Sequence, residues 1–524
     1  MSAKVRLLLV VSLLASGASM LGAAGCGLTN ATNTAAVDVF PTVTSTDAVL
    51  YVSGKTGSSD GDGSAARPLS TIGVALAKLT PGSTGTTIAI AAGEYPENLT
   101  IPAFVSLVGL GADKVVISGK NGIGIAISGA GDHLVSGLAV KGSVGAGISG
   151  SGDPKDSGGF RLSHVEVSGV TASGARPGHG VDVAGVYSVR LESCSIHDNA
   201  GIGVVVRGGW ASIIDPLFTK DPRGSDVGII DPLFLPASSI SHNAGGGVAI
   251  IDPLFLPMGG PQLFITATDV GFNGHFGVAA FGGGVAIGYT AIHGTTGADG
   301  DGVLLGPGTV PPAASVPVSS ITTSILTGNA RAGVLVNAAV RLDFDCESSL
   351  NGHGGLWAQQ ASASINTHAG ANIARNTLVG IAASNGGSIN VAGSRIADTQ
   401  PFVYLPAGTT VTISAADGIG VYTNAHGFIS GASISGNSRA AVLAKDCAAK
   451  IDGSPDLTVE SCIISGSKWG VVVNGTYGQA APSAGGTGSN SFDGVDAAKQ
   501  ADNAELPAPE SACADGSYNC TSNP

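Results

Sequence analysis

The chain is poor in charge and in aromatic rings. Asp, Glu, Lys and Arg together make up 12% of its 524 residues, about half the usual share of a soluble domain, and Phe, Trp and Tyr only 5%. The first shortage excludes a coiled coil, a nucleic-acid binder and an ordinary helical enzyme. The second means that a core drawn from 43% apolar residues must be built of Val, Ile, Leu and Ala. Small β-branched side chains suit stacked strands. The same apolar content argues against disorder despite 82 glycines.

Long hydrophobic runs are also missing beyond the first residues. Lys4 and Arg6 precede the apolar run Leu7 to Leu14, and small residues lead to Ala23-Ala24-Gly25-Cys26, the three-part layout of a secretory signal. The stretch ending in Cys26 resembles a bacterial lipoprotein box, which implies that Cys26 carries the lipid and becomes the mature N-terminus. With no later run of about 20 apolar residues, anchoring would rest on that lipid. Cleavage before Cys26 removes two positive charges, so the net formal charge of −13 becomes −15. Such a surface repels nucleic acid, and it opposes acidic polysaccharides unless local basic patches or bound cations intervene.

The remaining cysteines are too scattered for a framework of disulfides. Cys513 and Cys520 can close a small loop, Cys447 and Cys462 can meet if they lie on adjacent coils, and Cys194 and Cys346 read as buried thiols. Residues 27 to 46 and the tail from about 481 lack periodicity. The expected organisation is therefore a signal (1–25), a tether (26–46), one body (47–480) and a low-complexity tail (481–524).

The body repeats. An apolar residue, a short polar segment usually containing Asn, and a Gly followed by apolar residues recur from Ile196-His-Asp-Asn199 onward. The spacings from Val334 to Leu356, Ile381 and then Val403 put the period in the low twenties. Units of that size cannot close a core alone, so they must stack. Parallel stacking gives a β-helix, with every second side chain inside, glycine at bends, and Asn tolerating left-handed geometry and bonding to its counterpart one coil on. Neither a leucine-rich repeat nor a propeller pattern is present.

Tyr51-Val-Ser-Gly, Asp60-Gly-Asp-Gly-Ser-Ala-Ala-Arg-Pro68, Thr71-Ile72, Ile88 to Tyr95, Glu97 to Ile101 and Val105 to Gly111 carry a family likeness. This stretch resembles the entry segment of pectin-lyase-like right-handed parallel β-helix proteins. The resemblance implies an all-β solenoid with an N-terminal capping helix, here Ile72 to Leu79. It also implies that any chemistry would sit on outward faces of adjacent coils, as a basic residue in lyases or clustered aspartates in hydrolases. Gly178-His179-Gly180 and Gly352-His353-Gly354 echo one hydrolase element without its partners, and glycoside hydrolysis needs two carboxylates at a defined separation.

The strongest candidate patch comes from laying Phe160 to Val167 on Val189 to Ile196. Leu162, Val165 and Val167 then fall on Leu191, Cys194 and Ile196, and Arg161 lies over Arg190 with Glu192 and Glu166 on the exterior. Stacked arginines can hold a carboxylate or sulfate, and Arg beside Glu can do acid–base work. No cofactor is implied. Asp60 and Asp62 are the weak candidates for Ca²⁺, against a simple turn; the histidines near the bends, His197, His242, His275 and His353, do not fall on one line. Ile-Ile-Asp-Pro-Leu-Phe occurs at 213, 229 and 250, making Phe218, Phe234, Leu235, Phe255 and Leu256 candidates for an apolar partner surface on adjacent coils. The resulting expectation is a lipid-anchored envelope rod, in the outer membrane of a Gram-negative bacterium, that binds a polysaccharide or another envelope component. The alternative is a polysaccharide lyase or glycoside hydrolase acting on an extracellular glycan.

Overall fold

The computed structural model describes residues 38–43, 48–79, 85–128, 131–152, 159–185, 188–214, 238–252, 262–309, 316–404, 413–445, 456–474 and 490–501. They wind as a right-handed parallel β-helix in which each coil contributes strands to three walls. The first two walls belong to a 26-stranded sheet and the third to a 16-stranded sheet. One circuit runs Ser188–Glu192, Ser195–His197, Ile202–Arg207, and then Trp210–Ile214 begins the next.

Alternation sets what lies inside. Leu162, Leu191 and Ile213 stack in register on the first wall, and Val167, Ile196 and Ile240 on the second; all are buried in one continuous core. The register of Arg161 on Arg190 is the one read from the sequence. So is the stack of Val334, Leu356 and Ile381. The next position is not. Ile381 stacks on Ile419, while Val403 lies in Phe402–Tyr404, an excursion antiparallel to the following strand, and is 60% exposed. At the far end Ser491–Asp493 and Asp496–Ala501 continue both sheets past the expected boundary at 480. Asn490 joins them on, accepting from the Cys462 amide at 2.8 Å and donating to the Val459 carbonyl at 2.9 Å.

The bend between the second and third walls is built from two consecutive residues. The first adopts a left-handed conformation, as at Asp198, His242, Phe272, Leu350 and Arg375. The second is the buried Asn199, Asn243, Asn273, Asn351 or Asn376. The positive φ thus falls one residue before the asparagine, rather than on it as expected. Freed from that task, the amide bridges coils: Nδ2 of Asn199 donates to Oδ1 of Asn243 at 2.9 Å, and Asn243 to Asn273 at 3.0 Å. A second run joins Asn329, Asn351 and Asn376. Each Oδ1 also takes the preceding Asn backbone amide, as Asn376 does from Asn351 at 3.1 Å.

The third wall departs from strict alternation. Its outward column is polar at Ser149 and Asp182, but Ala249, Ala279, Leu304, Leu335, Trp357, Ala382, Leu443 and Val472 are buried in a second apolar cluster. Strands that read Val-Ala-Ile or Val-Leu-Val without a polar break are those of a sheet covered on both faces. Two ion pairs are buried at the same face, where Arg331 holds Asp301 and Arg439 holds Asp417. The Asp301 and Asp417 carboxylates also accept the Ala332 and Ala440 amides, at 3.2 and 3.3 Å.

At the N-terminal end the expected helix is shorter than the span 72–79. Ile72–Ala77 is six residues long, with Thr71 Oγ1 accepting from Val74 and the Glu97 carboxylate accepting the Ile72 and Gly73 amides. Ile72 and Ala75 are buried in the core, but no long capping helix is formed.

Cys194, Cys346 and Cys462 are buried free thiols. The suggested Cys447–Cys462 bridge is therefore not made: Cys462 Sγ turns inward and donates to the Glu460 carbonyl at 3.2 Å, and Cys447, Cys513, Cys520 and Cys26 lie outside the described residues. Burial pushes the Cys194 thiol up to about 11, and that of Cys346 higher than its ordinary value. Alkylation followed by mass mapping should leave these three untouched in the native protein and label them in denaturant. Replacing Asn351 by Ala should lower unfolding stability by about 2–4 kcal/mol, because it strands buried partners on both sides. Leu350→Gly, which relieves a left-handed residue, should instead raise stability by about 1 kcal/mol in the same urea titration.

Candidate functional site

The outer face of the first two walls carries a band of charge across three successive coils. On the first wall, Glu192 sits beneath both arginines. Arg161 donates to Glu192 Oε2 through Nε at 3.0 Å and Nη2 at 2.5 Å, and Arg190 reaches Oε1 from the same strand. The carboxylate is 1% exposed, whereas the Arg161 and Arg190 side chains are 53% and 39% exposed. Glu192 is therefore not the exterior acid that alternation suggests. The two guanidiniums cover it, so it serves as a fixed counter-anion while they retain donors facing solvent.

Beside it on the second wall, Glu166 accepts Lys141 Nζ at 2.7 Å from the preceding coil and lies 3.5 Å from His197 Nε2 of the following one. His197 Nδ1 is 2.7 Å from Asp198. Burial pushes the Glu166 carboxyl upward, but the hydrogen bond and charge of Lys141, the Ser168 hydroxyl and His197 outweigh it and hold the carboxyl below its ordinary value. Held in that way, Glu166 is a poor proton donor. Both glutamates of the patch are thus engaged by cations, and the band as a whole offers hydrogen-bond donors rather than a proton-transfer pair.

The remaining candidates separate. The Asp62 carboxylate accepts the Ser64 amide at 2.8 Å, and Arg67 bonds the Asp60 carbonyl at 3.3 Å, so Asp60-Gly-Asp-Gly closes as a turn. Among the described residues no three His, Cys, Asp or Glu side chains converge as metal ligands. No helix among them is long and apolar enough to cross a membrane. Of the Ile-Ile-Asp-Pro-Leu-Phe copies, the first begins on the first wall at Ile213 and the third on the third wall at Ile250, while the second, expected one coil before the third, lies outside the described residues. Phe218, Phe234, Leu235, Phe255 and Leu256 lie outside the described residues.

The two Gly-His-Gly elements are structural. His179 is buried, and its Nδ1 accepts the Ile202 amide at 2.9 Å. His353 packs its ring 4.8 Å from that of Phe402. Burial lowers the pKa of His179 and takes His353 down to about 4. An unfolded chain binds these protons near pH 6.5. Their contribution to stability is therefore fully present above about pH 6.5 and is lost as the pH falls through the window toward 4. Urea midpoints should drop between pH 7 and 4.5, with His353 accounting for at most about 3 kcal/mol, and His353→Gln should flatten the profile.

Neither a protein-family model nor a curated protein matches the chain. Solved structures do. The Dettilon tailspike protein gp208 shares 13% identity over 80% of this chain and 68% of its own, with a TM-score of 0.41. The catalytic unit of an α-1,3-glucanase from Streptomyces thermodiastaticus strain HF3-3 shares 13% over 87% of this chain and 70% of its own, at 0.39. The A-module of the Azotobacter vinelandii mannuronan C-5 epimerase AlgE4 shares 12% over 80% of this chain and 91% of its own, at 0.33.

Proposed function

We propose that the protein is a non-catalytic binding rod of the cell envelope that captures a carboxylate- or sulfate-bearing polysaccharide on Arg161 and Arg190. The observation that carries this reading is the buried Glu192 under two half-exposed guanidiniums. A buried counter-anion that takes one arginine on each oxygen fixes their orientation and leaves their remaining N–H groups for an oxyanion. It also supplies the local positive charge that the overall −13 otherwise withholds. The lowered Glu166 pKa weighs against the hydrolase alternative, since a protonated acid beside a second available carboxylate is what glycoside hydrolysis requires. In this reading the rod is held at the membrane by lipid on Cys26, in the outer membrane of a Gram-negative cell.

Arg161→Ala tests it without orphaning Glu192, which keeps Arg190. Binding to polygalacturonate or dextran sulfate in affinity electrophoresis should fall about tenfold, with the residual binding weakened by salt. Neither protein should release reducing ends or unsaturated products. Product formation abolished by Arg190→Lys would overturn the proposal in favour of catalysis. Detergent-phase partitioning lost on Cys26→Ala is the outcome expected of the anchor.

A further inference from the structure

Two coils beyond the charged band, a different surface is assembled at the bend into the third wall. Phe272 adopts φ +56° and is 49% exposed. Its ring stacks on His242 of the preceding coil at 5.2 Å between centroids with 22° between planes, and meets His293 of the following coil edge-on at 4.9 Å. The Asp269 carboxylate accepts from His293 Nε2 at 2.9 Å and so fixes that ring. Two glycines make the space. A Cβ on Gly271 would lie 2.5 Å from the His293 ring, and one on Gly294 2.9 Å from the Phe272 ring.

A phenylalanine in left-handed backbone at an exposed bend is strained, and burial does not repay it. The bend itself does not need the ring, since the equivalent position one coil on is Gly294, also left-handed at φ +63°. The His242 imidazole, likewise left-handed at φ +55°, is exposed beside it. The cluster therefore presents a half-exposed phenyl ring bordered by imidazole nitrogens and a carboxylate, spaced one coil apart along the rod axis.

We propose that His242, Phe272, Asp269 and His293 form a stacking platform for a neutral pyranose chain lying along the rod axis. A pyranose offers the complementary chemistry, an apolar face of axial C–H groups to set on the ring and equatorial hydroxyls at its edges for Asp269 and the imidazoles. An acyl chain or an apolar peptide would cover Phe272 but leave those polar groups unmatched. An acidic sugar would meet Asp269 without the paired guanidiniums that the first site supplies. The platform extends the glycan-binding reading but does not depend on Arg161 or Arg190.

Phe272→Gly separates a ligand role from a structural one. The full chain and the variant are compared by thermal unfolding and by affinity electrophoresis in dextran, laminarin, mannan and xyloglucan. The expected result is an unfolding temperature equal to or above that of the parent, with at least tenfold weaker retardation in the neutral polysaccharide that the parent binds. Polygalacturonate binding should be unchanged in this variant, while neutral binding should survive Arg161→Ala. That pairing tells failure of the platform apart from failure of the arginine site. A parent that binds none of the four, a variant that binds as well as the parent, or a variant that unfolds several degrees earlier would each overturn the proposal.

Discussion

The buried asparagine at the second bend is the constraint on which the coil geometry depends. A chain that turns a corner inside a solenoid exposes backbone groups to an interior that cannot solvate them, and every coil faces the problem at the same place. Asn243 answers it by donating to the Ile196 carbonyl of the coil before and to the next asparagine, whose oxygen returns to the Asn243 amide. The left-handed residue before each asparagine aims the side chain inward. Once that corner is fixed in the coils that carry the asparagine, the walls on either side come into register and their alternating residues stack like on like.

The same geometry explains why chemistry on this fold is spread lengthwise. Side chains that meet across walls are core, whereas side chains that meet on the surface come from adjacent coils at matching positions. Lys141 and His197 hold one such position on alternate coils, bridged by Glu166 two residues before it on the coil between, and Arg161 over Arg190 is another. A ligand read by these lines is an elongated one. The third wall cannot take that role over most of its length, because its outward column is itself buried.

Much of this architecture is legible in the sequence, and the failures have identifiable causes. Phe160 to Val167 could be laid on Val189 to Ile196 because polar and apolar residues alternate there without insertions. Val403 was misplaced because an insertion carried an apolar residue to the expected spacing but off the wall. Glu192 looked exterior since alternation fixes which way a side chain points, not what covers it, and its cover comes from an arginine 31 residues earlier. The Asp301–Arg331 and Asp417–Arg439 pairs share a pattern in the sequence: Asp-Gly in one third-wall strand, Arg-Ala at the start of the next. The His242, Phe272 and His293 platform left none, because its three rings sit at two different offsets from the bend.

The asparagine line also has gaps, and they bear on mechanics. Thr295 and Thr399 occupy the position between asparagines, and their main-chain amides donate to the next amide oxygen at 3.5 and 3.2 Å; Thr295 Oγ1 also accepts the Ala330 amide at 3.1 Å, whereas Thr399 has no such side-chain link to the following coil among the described residues. Coil-to-coil bonds run along the length of the rod, so a pull between its ends loads every junction in series and the least cross-linked one gives way first. A polymer held on one end of the solenoid while the other is fixed would thus load the junction at Thr399 with fewer side-chain bonds than its neighbours.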